Sequence, residues 1–232
     1  MALPYYVSPE QIMQDKAEYS KKGIAKGKSI IALGYDDGVV LAAENPSSSL
    51  NKISEIYDQI AFAGAGKYSE FENLRKAGIR HADLKGYLYS REDVTAKSLA
   101  NAYSQSLGTI FSQEIKPLEI EILVVEVGKI REDDQLYRIS FDGSIYEEKE
   151  FAVIGGKSED IITFLRDRYK GNMSVEESLK LSVSALENSN NHKITPDNLE
   201  VAVLDRRVEG RRFKKITHEE IKEIIEESGV ES

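Results

Sequence analysis

KGKSIIALGYDDGVVLAAE, residues 26–44, is two apolar runs hinged on Asp36-Asp37-Gly38. Ile30 to Tyr35 and Val39 to Ala43 are rich enough in β-formers to be strands, and the Asp-Gly pair offers the positive φ that a tight hairpin turn needs. The hairpin does not open the chain, and a lysine, Lys28, stands at its head. What occupies that position decides whether the chain does chemistry.

Upstream of the hairpin, Ser8-Pro9-Glu10-Gln11 supplies an N-cap, a proline at the first helical position and a capping-box glutamine. Lys21, Lys22 and Gly23 give the matching stop, with cations at the negative end of the dipole and glycine just past it. A helix is therefore predicted over 8–23. Downstream, NKISEIYDQIAFAGAG predicts two short strands around Asp58-Gln59, and two helical stripes follow: Tyr68, Phe71 and Leu74, then Leu99, Tyr103, Leu107, Ile110 and Phe111. A second β block runs through EIEILVVEV, QLYRISF, the Asp142-Gly143 turn, SIYEE and FAVIGG, mirroring the first. The second helical pair carries Ile161, Ile162, Leu165 and Tyr169, then Val175, Leu179, Val183 and Leu186 behind a Ser174-x-x-Glu177 capping box. LEVAVLD and RRFKKI close the β region, and Thr217-x-x-Glu220 caps a last amphipathic helix. Strands in hairpins with helices in pairs point to an α+β fold, two stacked antiparallel sheets with helices outside.

Composition narrows the function. The 232 residues can bury a full core, and no linker divides them, so a single domain over 1–232 is expected. Hydrophobic residues at 41% and charged residues at 31%, with 5 prolines, describe a soluble globular chain. No run has the length of a membrane span, and MALPYYV lacks the basic and long apolar regions of a secretory signal. The absence of cysteine excludes disulfides, thiolate metal sites and cysteine nucleophiles, which with the missing signal favours the cytoplasm. A net charge of −9 argues against a general nucleic-acid binder. The basic cluster Arg206, Arg207, Arg211, Arg212, Lys214 and Lys215 reads as a solvated hairpin end.

Ordinary enzyme signatures are missing. Gly27-Lys28-Ser29 and Gly156-Lys157-Ser158 hint at phosphate loops, but the leading glycine is replaced by Lys22 in one and Phe151 in the other. His81, His192 and His218 are separated and lack the companions of a metal site, and acidic pairs such as Asp133-Asp134 and Glu147-Glu148 read as solvated surface. There is no G-x-S-x-G elbow. No cofactor or metal is expected.

The order of elements, with KSIIALGYDDGVVLAAE, SLNKISEIYD and ANAYSQSLGTIFSQ, resembles the proteasome α-subunit family, most closely its bacterial form found in actinobacteria. The likeness runs from PYYVSPEQIMQDKAEYSKKGIAKGKS to NLEVAVLD and the last helix, strongest in the first 125 residues. It implies the four-layer αββα sandwich of the N-terminal nucleophile hydrolases. In the catalytic β relatives a threonine freed by propeptide removal begins the first strand, and its amine serves as base for its own hydroxyl. By that resemblance Lys28 stands where the threonine would be, and Glu44 and Glu55 fall where the supporting aspartate and lysine would lie, so no catalytic residue is expected.

The resemblance further implies the outer, heptameric ring of a 20S core particle, built with other α subunits and stacked on β subunits that hold the proteolytic sites. Met1, Ala2, Leu3, Pro4, Tyr5, Tyr6 and Val7 would form an axial gate at the ring centre. Lys52 matches the family's pocket lysine, which lies between adjacent α subunits and receives the C-terminal carboxylate of a AAA+ ATPase ring or other activator; Lys26 is a second candidate for the same pocket. The substrates implied are proteins bearing a ubiquitin-like tag. The YDR-type gate signature of archaeal and eukaryotic α subunits is absent, and 187–198, ENSNNHKITPDN, has no pattern to transfer. Two competing readings are an active N-terminal nucleophile hydrolase cleaved at an unexpected place, and a nucleotide-dependent module using a Gly-Lys-Ser segment.

Overall fold

The computed structural model describes residues 8–47 and 49–226. The first helix, α1 (Pro9–Ile24), leads into the hairpin β1 (Ile30–Tyr35) and β2 (Gly38–Glu44), then β3 (Ile53–Tyr57) and β4 (Ile60–Gly66). The helices α2 (Tyr68–Leu88) and α3 (Ala96–Gln113) follow, then β5 (Ile120–Glu126), β6 (Gln135–Ile139), β7 (Ile145–Glu148) and β8 (Phe151–Ile154). The chain continues through α4 (Ser158–Arg168), α5 (Val175–Asn190), β9 (Leu199–Asp205), β10 (Phe213–Ile216) and α6 (His218–Glu226).

The strands form two five-stranded sheets, ordered β10-β9-β2-β1-β8 and β3-β4-β5-β6-β7, with every recorded pairing antiparallel. The central strands are buried along their whole length, because each sheet is covered on both faces. Alternate side chains sort by partner. Ile30, Ala32, Val39, Leu41 and Ala43 of the first sheet meet Ala61, Ala63, Ala65, Leu123 and Val125 of the second. Ile31, Leu33, Val40 and Ala42 point the other way, onto Ile161, Leu165, Leu179 and Leu186 of α4 and α5. Ile60, Phe62, Ile122 and Val124 likewise meet Phe71, Leu74, Leu99, Tyr103 and Leu107 of α2 and α3. Helices, sheet, sheet and helices are therefore four layers around three apolar seams, the αββα sandwich expected.

Three local expectations are corrected. The β1–β2 loop is Asp36-Asp37, with Tyr35 paired directly to Gly38, and neither aspartate has positive φ. The positive φ of the Asp-Gly pair is carried by Gly38 itself, at +158°, and Gly38 is required by close approach as well: a Cβ there would lie 1.8 Å from the Leu204 carbonyl oxygen of β9. Gly23 does not stop α1, which continues to Ile24; a Cβ on Gly23 would lie 2.5 Å from the Glu119 carboxylate, so the glycine lets the helix settle onto the chain entering β5. At the other end the Ser8 hydroxyl caps the Gln11 N–H at 3.2 Å, but the Gln11 side chain turns forward to Asp15 rather than back to complete the box.

Candidate functional site

α1 lies at one end of the sandwich. Its Ser20 and Ile24 are buried, and the Lys16 ammonium donates to the Phe111 and Glu114 carbonyls at 3.1 and 2.7 Å. A cation at the last carbonyls of α3 is a favourable pairing with the negative end of that helix. The chain then turns through Gly27, whose N–H donates to the Ile24 carbonyl and whose carbonyl accepts from Gly156, and presents Lys28 immediately before β1.

Lys28, Glu44 and Lys52 come together there. Glu44, the last residue of β2, is buried and accepts from the Lys28 ammonium at 2.9 Å, from Asn190 Nδ2 at 2.9 Å, and lies 3.3 Å from His192 Nε2. Lys52, just ahead of β3, reaches across from the second sheet to donate to the Glu44 carbonyl at 3.1 Å and to the Lys28 carbonyl at 3.4 Å. Burial pulls the Lys52 ammonium down to about 8, with Glu200 and Glu44 opposing the fall and Lys28 adding to it. The group is thus a partly desolvated cation close enough to neutral pH for its charge to respond to what docks beside it.

The expectation for Glu55 is overturned. It is committed instead to Arg211, accepting from Nε at 2.9 Å and from Nη2 at 2.6 Å. The cation beside Lys28 and Glu44 is Lys52, so Lys52 rather than Glu55 occupies the place expected for a supporting lysine. Lys26 is exposed and no hydrogen bond joins it to Lys52 among the described residues. Met1 to Val7, expected to form a gate, lie outside the described residues.

The two Gly-Lys-Ser segments meet each other. Gly156 N–H donates to the Gly27 carbonyl at 3.2 Å, Lys157 N–H to the Ser29 hydroxyl at 3.3 Å, and the Lys157 ammonium to the Ser189 carbonyl at 2.7 Å. These two backbone N–H groups and the Lys157 ammonium are spent within the fold. The basic cluster is likewise paired rather than merely solvated. Arg206 grips Asp134 with two bonds of 2.9 and 2.8 Å in a nearly buried pair, Arg207 holds Asp205, Arg212 donates to the Val127 carbonyl, Lys214 meets Glu220 and Lys215 meets Glu200.

Four residues at the site carried no local sequence signal. Asn190 and His192 arrive at Glu44 from 146 and 148 positions away, out of the polar 187–198 stretch. Asn45 and Glu200 bond to each other at 2.7 Å, and Glu200 also accepts from the Lys52 backbone N–H at 2.8 Å. Among the described residues no cluster of three or more histidine, aspartate or glutamate side chains could hold a metal ion, and no helix is long and apolar enough to cross a membrane.

The family model described as "Proteasome subunit" matches residues 24–204. The chain is 48% identical over 230 residues to "Proteasome subunit alpha" of Thermobifida fusca, covering 98% of this chain and 92% of that protein. It is 51% identical to the protein of the same description from Streptomyces scabiei, with 99% and 94% covered, and 50% identical to that of Kineococcus radiotolerans, with 94% and 95% covered.

Proposed function

This chain belongs to the proteasome subunit family, as an α subunit, and from that premise we propose that it forms the outer ring of the core particle, gates entry and docks activators at Lys52. The observation that carries the reading is the Lys28, Glu44 and Lys52 group at the end of the sandwich where α1 lies. It supports a binding role over a catalytic one. The position of a nucleophilic threonine holds an ammonium already paired to Glu44. The Ser29 hydroxyl next to it is buried and accepts from Lys157. The supporting acid and lysine of an active N-terminal nucleophile hydrolase have counterparts in Glu44 and Lys52, but the nucleophile's own position is a lysine, and a phosphate-binding module has no observation in its favour.

Carboxylate docking suits Lys52 physically. Two of its three donors are spent on backbone carbonyls, which aim the ammonium and leave one hydrogen for a ligand oxygen. The partly desolvated setting makes a charge-assisted bond stronger than at an open surface. Lys26 would contribute from its exposed position, and Met1 to Val7 would close the axial channel.

Two exposed apolar surfaces support assembly with further subunits. One joins Ile12 and Tyr19 of α1 to Ile115; the other is the far end of α2 with Leu84, Tyr87, Leu88 and Tyr89. The partners we propose are neighbouring α subunits, stacked β subunits that carry the proteolysis, and a AAA+ ring or other activator delivering tagged proteins, in the cytoplasm. The test is Lys52→Ala in a reconstituted particle. Assembly should persist while stimulation of peptide hydrolysis by an activator is lost; undiminished stimulation would remove Lys52 from the docking site.

A further inference from the structure

Lys52 is held in place by a carboxylate that belongs to the other sheet. Glu200, the second residue of β9, lies opposite Ala43 of β2, with its side chain only 10% exposed. Its Oε2 accepts from the Lys52 N–H at 2.8 Å and from Asn45 Nδ2 at 2.7 Å. Its Oε1 accepts from the Ile53 N–H at 3.1 Å and from the Lys215 ammonium at 3.0 Å. Two successive backbone N–H groups at the entry to β3 are thereby fastened to β9, while the Lys52 carbonyl accepts from Gly64 N–H of β4 at 3.1 Å. Asn45 also donates to the Leu50 carbonyl at 2.6 Å, so the same carboxylate ties together both ends of the connection from β2 to β3.

We propose that Glu200 is a positioning residue for activator docking: its carboxylate fixes the Lys52 backbone and supplies the negative field that keeps the Lys52 ammonium charged for an incoming chain-terminal carboxylate. The inference rests on the docking reading given above. Four charged groups bear on Lys52 or its anchors at close range: Glu200 from β9, Glu44 from β2, Lys28 ahead of β1, and Lys215 of β10 through its pairing with Glu200; His192 touches Glu44. Burial works against the charge on Lys52, and Glu200 is the larger of the two opposing carboxylate influences. The carboxylate is also saturated, with four donors on two oxygens, so an amide in its place would turn N–H groups toward donors.

The experiment is competitive trace acetylation of the full chain with acetic anhydride across pH, read by mass spectrometry on the Lys52 peptide, since only the neutral amine reacts. Wild type should show a midpoint of about 8. Glu200→Gln should move it to lower pH by about half a unit or more, because an attractive charge has gone. Lys215→Met changes an exposed side chain and should move it to higher pH, because Glu200 then has one fewer cation to share. An unmoved midpoint in a natively folded Glu200→Gln chain overturns the proposal. Should that variant fail to fold, an unmoved or lowered midpoint in Lys215→Met overturns it. In parallel, at pH 9, where a half-unit fall cuts the charged fraction of Lys52 about threefold, binding of a peptide carrying an activator's C-terminus should weaken about threefold or more in Glu200→Gln. If Lys52→Met binds that peptide as wild type does, the docking reading fails, whereas the acetylation midpoints still decide whether Glu200 governs Lys52.

Discussion

Carboxylate docking at Lys52 should weaken as pH rises through the titration of the lysine itself. Burial holds the free ammonium at about 8, below the ordinary lysine value of 10.5. A carboxylate seated against it favours the charged form, so the bound lysine keeps its proton to higher pH than the free one. Binding therefore takes up a proton wherever the free lysine has lost its own. Affinity is at full strength below about pH 8 and falls about tenfold per unit above it, until the bound pair titrates too. A group with that midpoint is about nine-tenths charged at pH 7 and about one-tenth charged at pH 9, so Kd should rise about tenfold, roughly 1.4 kcal/mol, between them. Fluorescence anisotropy of a labelled activator C-terminal peptide on the α ring measures this without involving the proteolytic groups. Lys52→Arg should bind with a flat profile over the same range, because a guanidinium stays charged. A wild-type curve that is flat from pH 7 to 9, or a Lys52→Arg curve that declines in step with it, would refute the reasoning.

Other perturbations probe the scaffold. Arg206→Ala leaves Asp134 nearly buried without its bidentate partner and should destabilise the fold by about 3 kcal/mol, seen as a thermal midpoint lower by roughly 6–12 °C. Tyr87→Glu with Tyr89→Glu alters side chains 87% and 75% exposed, so the isolated chain should melt within about 2 °C of wild type while assembly with other subunits, followed by native mass, is weakened. Gly23→Val forces a side chain into Glu119 and should lift α1 from the chain entering β5, exposing Ser20 and Ile24 to faster hydrogen exchange. Deleting Met1 to Val7 should raise hydrolysis of small peptides by the assembled particle; an unchanged rate would mean these residues do not close the channel.

The layers were legible because their cause is local. Runs such as Ile30 to Leu33 and Ile122 to Val125 are apolar without a break, as strands covered on both faces must be, and paired helical stripes between two such blocks leave few arrangements. Gly23 was misread and Gly38 only half read, because a glycine can serve a turn or a close contact, and only the fold reveals that Gly38 faces Leu204 and Gly23 faces Glu119. Lys52 emerged from family likeness alone; in isolation it is one lysine among many. Glu55 was misplaced because the connection between Glu44 and β3 sets which residue returns to the corner, and that path is fixed by Asn45 and Glu200 from different elements. Glu200, Asn190 and His192 were invisible for the same reason: their partners are more than a hundred positions away, beyond any periodicity or spacing rule.

The most direct test of a noncatalytic, docking α subunit is the state of the bond between Lys28 and Ser29 in the assembled particle. Native mass of the purified complex, with N-terminal sequencing of each chain in it, should find this chain uncut there, in a large particle whose hydrolytic activity belongs to a partner beginning with threonine. Cleavage of this chain before Ser29, in a peptidase assembled from this chain alone, would contradict the account.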